Sequence, residues 1–345
     1  MIRTGGVDRT VEFGTPGRLE VRITPADVGK RVSIRRLHHS AEDAAKFTDT
    51  VGVLTSWDAG VLMVTRRTGE AVRIAESSLV AGKVVPDVPA RRRGPAASYE
   101  ELARVAARSW QPVESGRIGD WELRAAGGFT RRANSVLPLG DPGVPLDEAL
   151  TRVREWYAAR ELPAYVQTAT GSPGAQDALH SELTSRGWLV EVSAELRTGA
   201  LAPLADTGAE PGAVRLERGF DDGWLRRYQR SPESGETVRR VLAAGPSVWF
   251  ASVGGGAGEV PAAIGRCVVD GRWAGFMAVE VDPGQRRRGL GTAVMAALAG
   301  RALAEGASAA WLQVEADNTA ARAMYDRAGF RTHHTYHHHR APEGP

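Results

Sequence analysis

A single cysteine, Cys267, occurs in the 345 residues, so no disulfide forms within the chain and a reducing compartment is implied. Lysine is almost missing too: Lys30, Lys46 and Lys83 are the only three among 44 basic residues. Arginine supplies the rest, alongside 40 glycines and abundant alanine, as expected of a GC-rich coding genome such as an actinobacterium's. Coding bias of this kind, with a net charge of only +3, removes any argument for nucleic acid from arginine content alone. No apolar run approaches the length that spans a bilayer, so no membrane partner is expected. The opening Met1-Ile2-Arg3-Thr4-Gly5-Gly6 carries no signal-peptide segment, and a cytoplasmic location is expected.

Two common phosphate-binding motifs are missing as well. A P-loop requires Lys-Ser/Thr after its second glycine, whereas Thr292-Ala293 follows Gly291. A dinucleotide fingerprint requires a third glycine and an acidic residue further on, and alanine and tryptophan stand near position 310. What is present is an apolar strand, Gly275 to Val281, then Asp282-Pro283-Gly284-Gln285-Arg286-Arg287-Arg288-Gly289-Leu290-Gly291-Thr292, then an Ala-rich helix. Such a strand–loop–helix aims consecutive backbone N–H groups and the positive helix end at one point. Glycines let the backbone approach a phosphate, and arginines add charge and forked donors. The segment reads as a pyrophosphate cradle.

The spacing Arg286-x-x-Gly289-x-Gly291 resembles the acetyl-CoA signature of the GNAT acetyltransferase superfamily, Gln/Arg-x-x-Gly-x-Gly/Ala. Downstream, Ala309–Val314 reads as a buried strand, and Asn318 opens a helix that ends at Tyr325-x-x-x-Gly329-Phe330, again as in that family. The resemblance covers about residues 213–340. It implies acetyl-CoA as cosubstrate, held by the backbone and side chains of Arg286, Arg287, Arg288, Gly289, Leu290, Gly291 and Thr292. It also implies that main-chain groups of Met277, Val279 and Val281 pair with the pantetheine arm, one N–H facing the thioester oxygen. Tyr325 becomes the proton donor to the departing sulfur. Asn318 caps its helix, with a pantetheine contact as a secondary role.

The general base departs from the family pattern. The fourth-strand register that often holds a carboxylate is Gly275, and the fifth-strand position that elsewhere holds a glutamate is Gln313. Glu280 is the nearest carboxylate, acting directly or through water, with Glu315 as a second choice. Asp221, Asp222, Glu233 and Glu236 would suit a cationic acceptor, although acids near helix N-termini also serve the dipole.

Composition shifts at 86–95 and 199–212 divide the chain into three domains: residues 1–90, 98–198 and 212–345. The first shows five short Val/Ile-rich strands and is expected to form an SH3-like barrel. Its arginines at 35, 36, 66, 67 and 73 read first as a solvated face, with RNA phosphate as the alternative. The second reads as a degenerate copy of the third. Its counterpart of the cradle, Gly140 to Pro145, lacks arginine and loses donors to proline, and Leu183 replaces the tyrosine. Overall the expectation is an α/β protein of mixed sheets: a barrel, a degenerate GNAT-like repeat and a catalytic GNAT domain. It would acetylate a primary amine, on a small molecule or a protein, by direct attack in a ternary complex. An acyl-CoA-sensing or RNA-associated module and a mycothiol synthase-like enzyme are the alternatives. The tail His333-His334-Thr335-Tyr336-His337-His338-His339 alternates across a strand and is not expected to bind metal, since successive residues face opposite ways. Cys267 lacks the surroundings of a nucleophile. Nothing in the sequence indicates an oligomeric state.

Overall fold

The computed structural model describes residues 20–38, 46–66, 69–85, 95–207, 214–228, 235–256 and 258–342. Most of the expected hinge at 86–95, together with Arg67 and Glu233, lies outside them. The chain forms two compact units, residues 1–90 and 91–345.

In the first unit, β1 (Arg31–His38), β2 (Lys46–Asp58), β3 (Val61–Thr65), β4 (Ala71–Ala75) and β5 (Leu79–Val84) form one antiparallel sheet in the order β4-β3-β2-β1-β5. Apolar residues recur every second position, so Val32 and Ile34, Leu62 and Val64, and Val72 and Ile74 meet in one core. Ala59 and Gly60, both at positive φ (48° and 74°), make the tight turn between β2 and β3. Two arginines of the expected basic face are paired with carboxylates, and a third bonds to a backbone carbonyl. Arg35 makes a two-pronged bond to Asp49 at 2.9 and 3.0 Å, Arg66 pairs with Glu70 at 2.8 Å, and Arg36 donates to the Arg73 carbonyl.

The second unit begins with α1 (Tyr99–Arg108), β6 (Glu114–Ile118), β7 (Trp121–Ala125), β8 (Leu137–Pro138), α2 (Leu146–Ala158), β9 (Tyr165–Thr170), α3 (Asp177–Ser185), β10 (Leu189–Ala200) and α4 (Leu201–Ala205). It continues with β11 (Val214–Glu217), α5 (Asp222–Arg227), α6 (Glu236–Ala243), β12 (Ser247–Val253), β13 (Ala263–Asp270) and β14 (Trp273–Val281). The last elements are α7 (Leu290–Ala304), β15 (Ala309–Glu315), α8 (Thr319–Arg327) and β16 (Arg331–Arg340).

Eight strands share one sheet in the order β11-β12-β13-β14-β15-β10-β16-β9. Only β14 and β15 run parallel in it, because α7 carries the chain back across the sheet between them. Strand β10, from the middle segment, inserts between β15 and β16 and is antiparallel to both. The 98–198 and 212–345 segments are therefore joined through continuous hydrogen bonding. Alternate residues of β13 serve opposite faces. Ile264 and Val268 pack with Leu102 of α1, Trp224 of α5 and Val241 of α6, while Cys267 and Val269 pack with Val294, Leu298 and Ala302 of α7.

Two expectations need correction. The composition of residues 130–139 predicts a strand, but only Leu137–Pro138 is one. Gly127, Gly128 and Thr130 take positive φ (55°, 83° and 53°), and the buried Asn134 captures the loop. Its Oδ1 accepts from the Ala126 and Gly128 amides at 2.8 and 3.0 Å, and its Nδ2 donates to the Phe129 and Thr130 carbonyls at 2.7 and 3.0 Å. A side chain that meets four backbone groups offers the chain an alternative to the ladder. Likewise, the stretch expected as a linker from 199 opens with α4, whose Leu201 and Leu204 are buried in the cluster around α7.

Candidate active site

The cradle is a short 3-10 turn, Pro283–Gln285, leading into α7. Asp282 fixes the turn by accepting from the Gly284 amide at 2.8 Å and from Arg227 at 2.5 Å. The amide bond, and then the guanidinium, hold its carboxyl below the usual range. Gly289 precedes the helix at φ 80°, a left-handed conformation that suits glycine, and no side chain caps the helix. The first-turn amides of Leu290, Gly291 and Thr292 thus lack helical partners and mark the positive end of a 15-residue dipole. Arg286, Arg287 and Arg288 are all exposed around it, and Arg287 itself sits at φ 62°.

The strand leading to the cradle is deformed. Ile264 pairs with Glu280 and Arg266 with Met277, so β14 carries one residue more than β13 between those pairs. The surplus is a β-bulge at Ala278, whose φ is 50°. Ladder bonding between β14 and β15 stops at Phe276 and Leu312, and β15 goes on to Glu315 beside β10 instead. The two strands therefore diverge beyond Phe276, and the ladder between them does not extend to Met277–Val281. Into this gap opens a small cleft lined by Phe276, Met277, Ala278, Val279 and Glu280 of β14, Gln313 of β15 and Tyr325 of α8. Trp110, Arg132 and Tyr228 complete it. Tyr325 packs edge-on against Phe330, with ring centroids 5.9 Å apart. Asn318 caps α8, accepting from the Ala321 amide at 3.1 Å.

A family profile described as "Probable histone acetyltransferase Rv0428c C-terminal" matches residues 97–339, and one described as "Rv0428c N-terminal Sm-like domain" matches residues 26–83. The chain is 30% identical over 312 residues to the "Probable histone acetyltransferase Rv0428c" of Mycobacterium tuberculosis, covering 89% of this chain and 93% of that protein. The chain belongs to the Rv0428c family of GNAT acetyltransferases. A second relative, the "Uncharacterized N-acetyltransferase YobR" of Bacillus subtilis, is 27% identical over 67% of this chain and 93% of its own. Among solved structures, a GCN5-related N-acetyltransferase from Kribbella flavida aligns at TM-score 0.48 and 18% identity, over 70% of this chain and 96% of that one. A tandem GNAT protein from the clavulanic acid biosynthesis pathway aligns at TM-score 0.48 and 16% identity, over 74% and 90%.

Within this Rv0428c-family acetyltransferase, the absent strand-four carboxylate has a steric reason. A Cβ on Gly275 would lie 2.5 Å from the ring of the fully buried Trp311 and 2.8 Å from the Met277 methyl. Two of the acids considered for a cationic acceptor are engaged elsewhere. Asp221 caps α5 through the Trp224 amide at 2.8 Å, and Asp222 pairs with Arg239. Cys267 is buried and its thiol is pushed upward by desolvation, which keeps it protonated and unsuited to attack. Sequence reasoning missed Trp110, Arg132 and Tyr228, all remote in sequence from the cradle.

The histidine tail of the acetyltransferase is the strand β16. His337 and His339 share a face and meet His180 of α3, with ring centroids 4.5 and 4.8 Å from it. His339 Nε2 lies 3.0 Å from His180 Nδ1 and 3.1 Å from Thr168 Oγ1. Among the described residues no group of three ligands is placed to hold a metal ion. Burial, then the neighbouring histidines, lowers His334 from 6.5 to about 3, and His337 and His339 to about 4. Each is thus neutral in the fold and takes up a proton on unfolding at mildly acidic pH. The stability they confer is complete above about pH 6.5 and is lost as pH falls toward about 4. Thermal midpoints recorded from pH 7 down to pH 4 should fall steeply in that window. A flat profile would mean that these histidines are solvated.

Proposed function

We propose that the chain transfers the acetyl group of acetyl-CoA to a primary amine by direct attack within a ternary complex. The observation that carries this reading is the juxtaposition of an uncapped helix N-terminus with a bulged strand that diverges from β15 and leads to a cleft holding Glu280 and Tyr325. The residues fit the cosubstrate. An added Cβ on Gly291 would meet only Val281 and Val279, at 3.5 and 4.0 Å, so the protein's own packing tolerates more than glycine there. Close approach of a ligand backbone gives that position its reason.

In this reading, amides 289–292 and the side chains of Arg286, Arg287 and Arg288 bind the pyrophosphate. Main-chain groups of Met277, Val279 and Val281 bind the pantetheine arm, and an amide at the bulge donates to the thioester oxygen as negative charge grows on it. Acetyl-CoA supplies the activated acetyl group. Glu280, directly or through one water, takes the proton that the attacking nitrogen must lose, since an alkyl ammonium of pKa near 10 is no nucleophile. As the C–S bond breaks, Tyr325 gives a proton to the sulfur. A thiol with pKa near 8.5 needs only modest help, so the tyrosine accelerates the step without being indispensable.

Tyr325→Phe should therefore lower kcat by roughly 100-fold or somewhat less, the low end of what positioned acids contribute, with the KM for acetyl-CoA little changed. Thiol release with an amine panel, alongside calorimetry with acetyl-CoA, tests the assignment. No heat with millimolar acetyl-CoA would reject the cradle, and wild-type turnover in Tyr325→Phe would reject the acid. The relative named a histone acetyltransferase brings protein amino groups into the panel beside small amines.

A further inference from the structure

Arg132 lines the cleft that holds Glu280, Gln313 and Tyr325, yet it comes from the loop that Asn134 pins in the middle segment. Its Nε and one terminal nitrogen both donate to the Tyr336 hydroxyl, at 3.0 and 2.7 Å. The guanidinium lies over two rings, 5.7 Å from Trp110 and 5.8 Å from Tyr336. Its other terminal nitrogen bonds to nothing among the described residues, and no carboxylate pairs with it. The adjacent Arg131, by contrast, is paired to Glu191 at 2.5 Å. An arginine oriented by a hydroxyl and stacked on aromatic rings, with one prong of its fork left open, is arranged to receive an anion.

Two more polar atoms of this cleft's residues are unsatisfied. Trp110 Nε1 is a buried donor without an acceptor, and Gln313 Oε1 is a buried acceptor without a donor. Each such atom is destabilising unless something pairs with it, and buried polar groups are seldom left so. The middle segment thus brings spare donors, Arg132 and Trp110, while β14 and β15 bring the carboxylate of Glu280 and the amide oxygen of Gln313. One ligand that carries both a carboxylate and an amine answers both sets.

We infer that the acceptor is a small amino acid-like molecule whose carboxylate is held by Arg132, with Trp110 beside it, while its amine faces Glu280 and Gln313. This rests on the acetyl-transfer reading above and specifies its second substrate. Arg132 is the specificity-determining residue, and Tyr336 positions it. The degenerate half of the chain then recognises the acceptor on behalf of the half that holds the cradle.

The test uses the full chain, acetyl-CoA, and free amino acids and dipeptides, each matched to its carboxamide. Products are identified by mass spectrometry and thiol release gives the rates. The carboxylate form should be preferred roughly 30-fold or more in kcat/KM, and Arg132→Gln should erase the preference. Its KM for carboxylates should rise about 10- to 100-fold, the scale of a lost charge-assisted bond, with carboxamides within about 3-fold of wild type. Tyr336→Phe, which keeps the ring and removes the hydroxyl, should raise KM for carboxylates with kcat nearly unchanged. Arg132→Lys should restore part of the loss. Calorimetry should find acetyl-CoA affinity unchanged in all three variants. The inference is overturned, with the acetyl-transfer reading intact, by any of three results: no preference between matched acceptors, an equal loss on both in Arg132→Gln, or turnover only with internal lysines of histone-type peptides. Failure of the wild-type chain to bind acetyl-CoA sinks both together.

Discussion

Gly291→Asp is expected to abolish measurable acetyl-CoA binding while leaving the fold as stable as before. Position 291 is the second residue of α7, where amides without helical partners gather and no side chain caps them. The Cβ of an aspartate there makes only ordinary contacts, 3.5 Å to Val281 and 4.0 Å to Val279. A carboxylate in a first helical turn gains about 0.3–1 kcal/mol from the dipole, so the thermal midpoint should hold or rise slightly. The same carboxylate takes the amide donors for itself and faces the incoming diphosphate with like charge. That repulsion costs several kcal/mol, or at least about 100-fold in affinity. Calorimetry and a melting curve on one sample separate the two effects. Undiminished affinity would place the diphosphate elsewhere, and a collapsed melting point would mean that glycine serves packing after all.

The second large effect belongs to Arg266, a fully buried guanidinium that no carboxylate among the described residues neutralises. It donates to the Leu242 and Ala244 carbonyls at 2.7 Å each, to the Ser109 carbonyl at 3.0 Å, and to Met277 Sδ at 2.8 Å. Those carbonyls lie at the C-terminal ends of α6 and α1, where orphan oxygens and the negative dipole end welcome a cation. Burial lowers the group to about 10, so it stays charged at neutral pH. Arg266→Met should destabilise the second unit by about 3 kcal/mol or more, because three carbonyls lose their donor at about 1–3 kcal/mol each, offset in part by relief of the buried charge. Denaturant titration followed through tryptophan fluorescence measures this. A midpoint equal to wild type would show that water replaces the side chain at no cost. Met277 immediately precedes the Ala278 bulge, so a folded Arg266 variant should also turn over more slowly.

The strand–turn–helix geometry of the proposed cradle was legible because its physics is local. A strand, two glycines, three arginines and a helix within twenty residues define the amide cluster without help from elsewhere. Tyr325 and the Asn318 cap follow from one helix in the same way. The divergence of β14 from β15 was legible only through the family resemblance, which implies a splayed strand edge at Met277–Val281; the residues alone do not reveal that β15 continues beside β10, a strand remote in sequence. Arg132 was hidden twice. Arginine is the commonplace cation of this chain, and the surrounding residues 130–139 have the composition of a strand until Asn134 is seen to bind the backbone. The adjacent Gly127-Gly128 was the available hint of a loop. His180 was equally invisible as the partner of His337 and His339, because only the pairing of β9 with β16 brings α3 over that face.

The lateral insertion of β10 also constrains how such a chain can be cut or inherited. A fragment starting near residue 212 would lack the strand on which both β15 and β16 are laced, and would expose two raw edges in place of one continuous ladder. Trimming to the half that carries the cradle should therefore yield aggregates rather than a minimal enzyme. For the same reason, the earlier half cannot be deleted without breaking the sheet on which the later half is built.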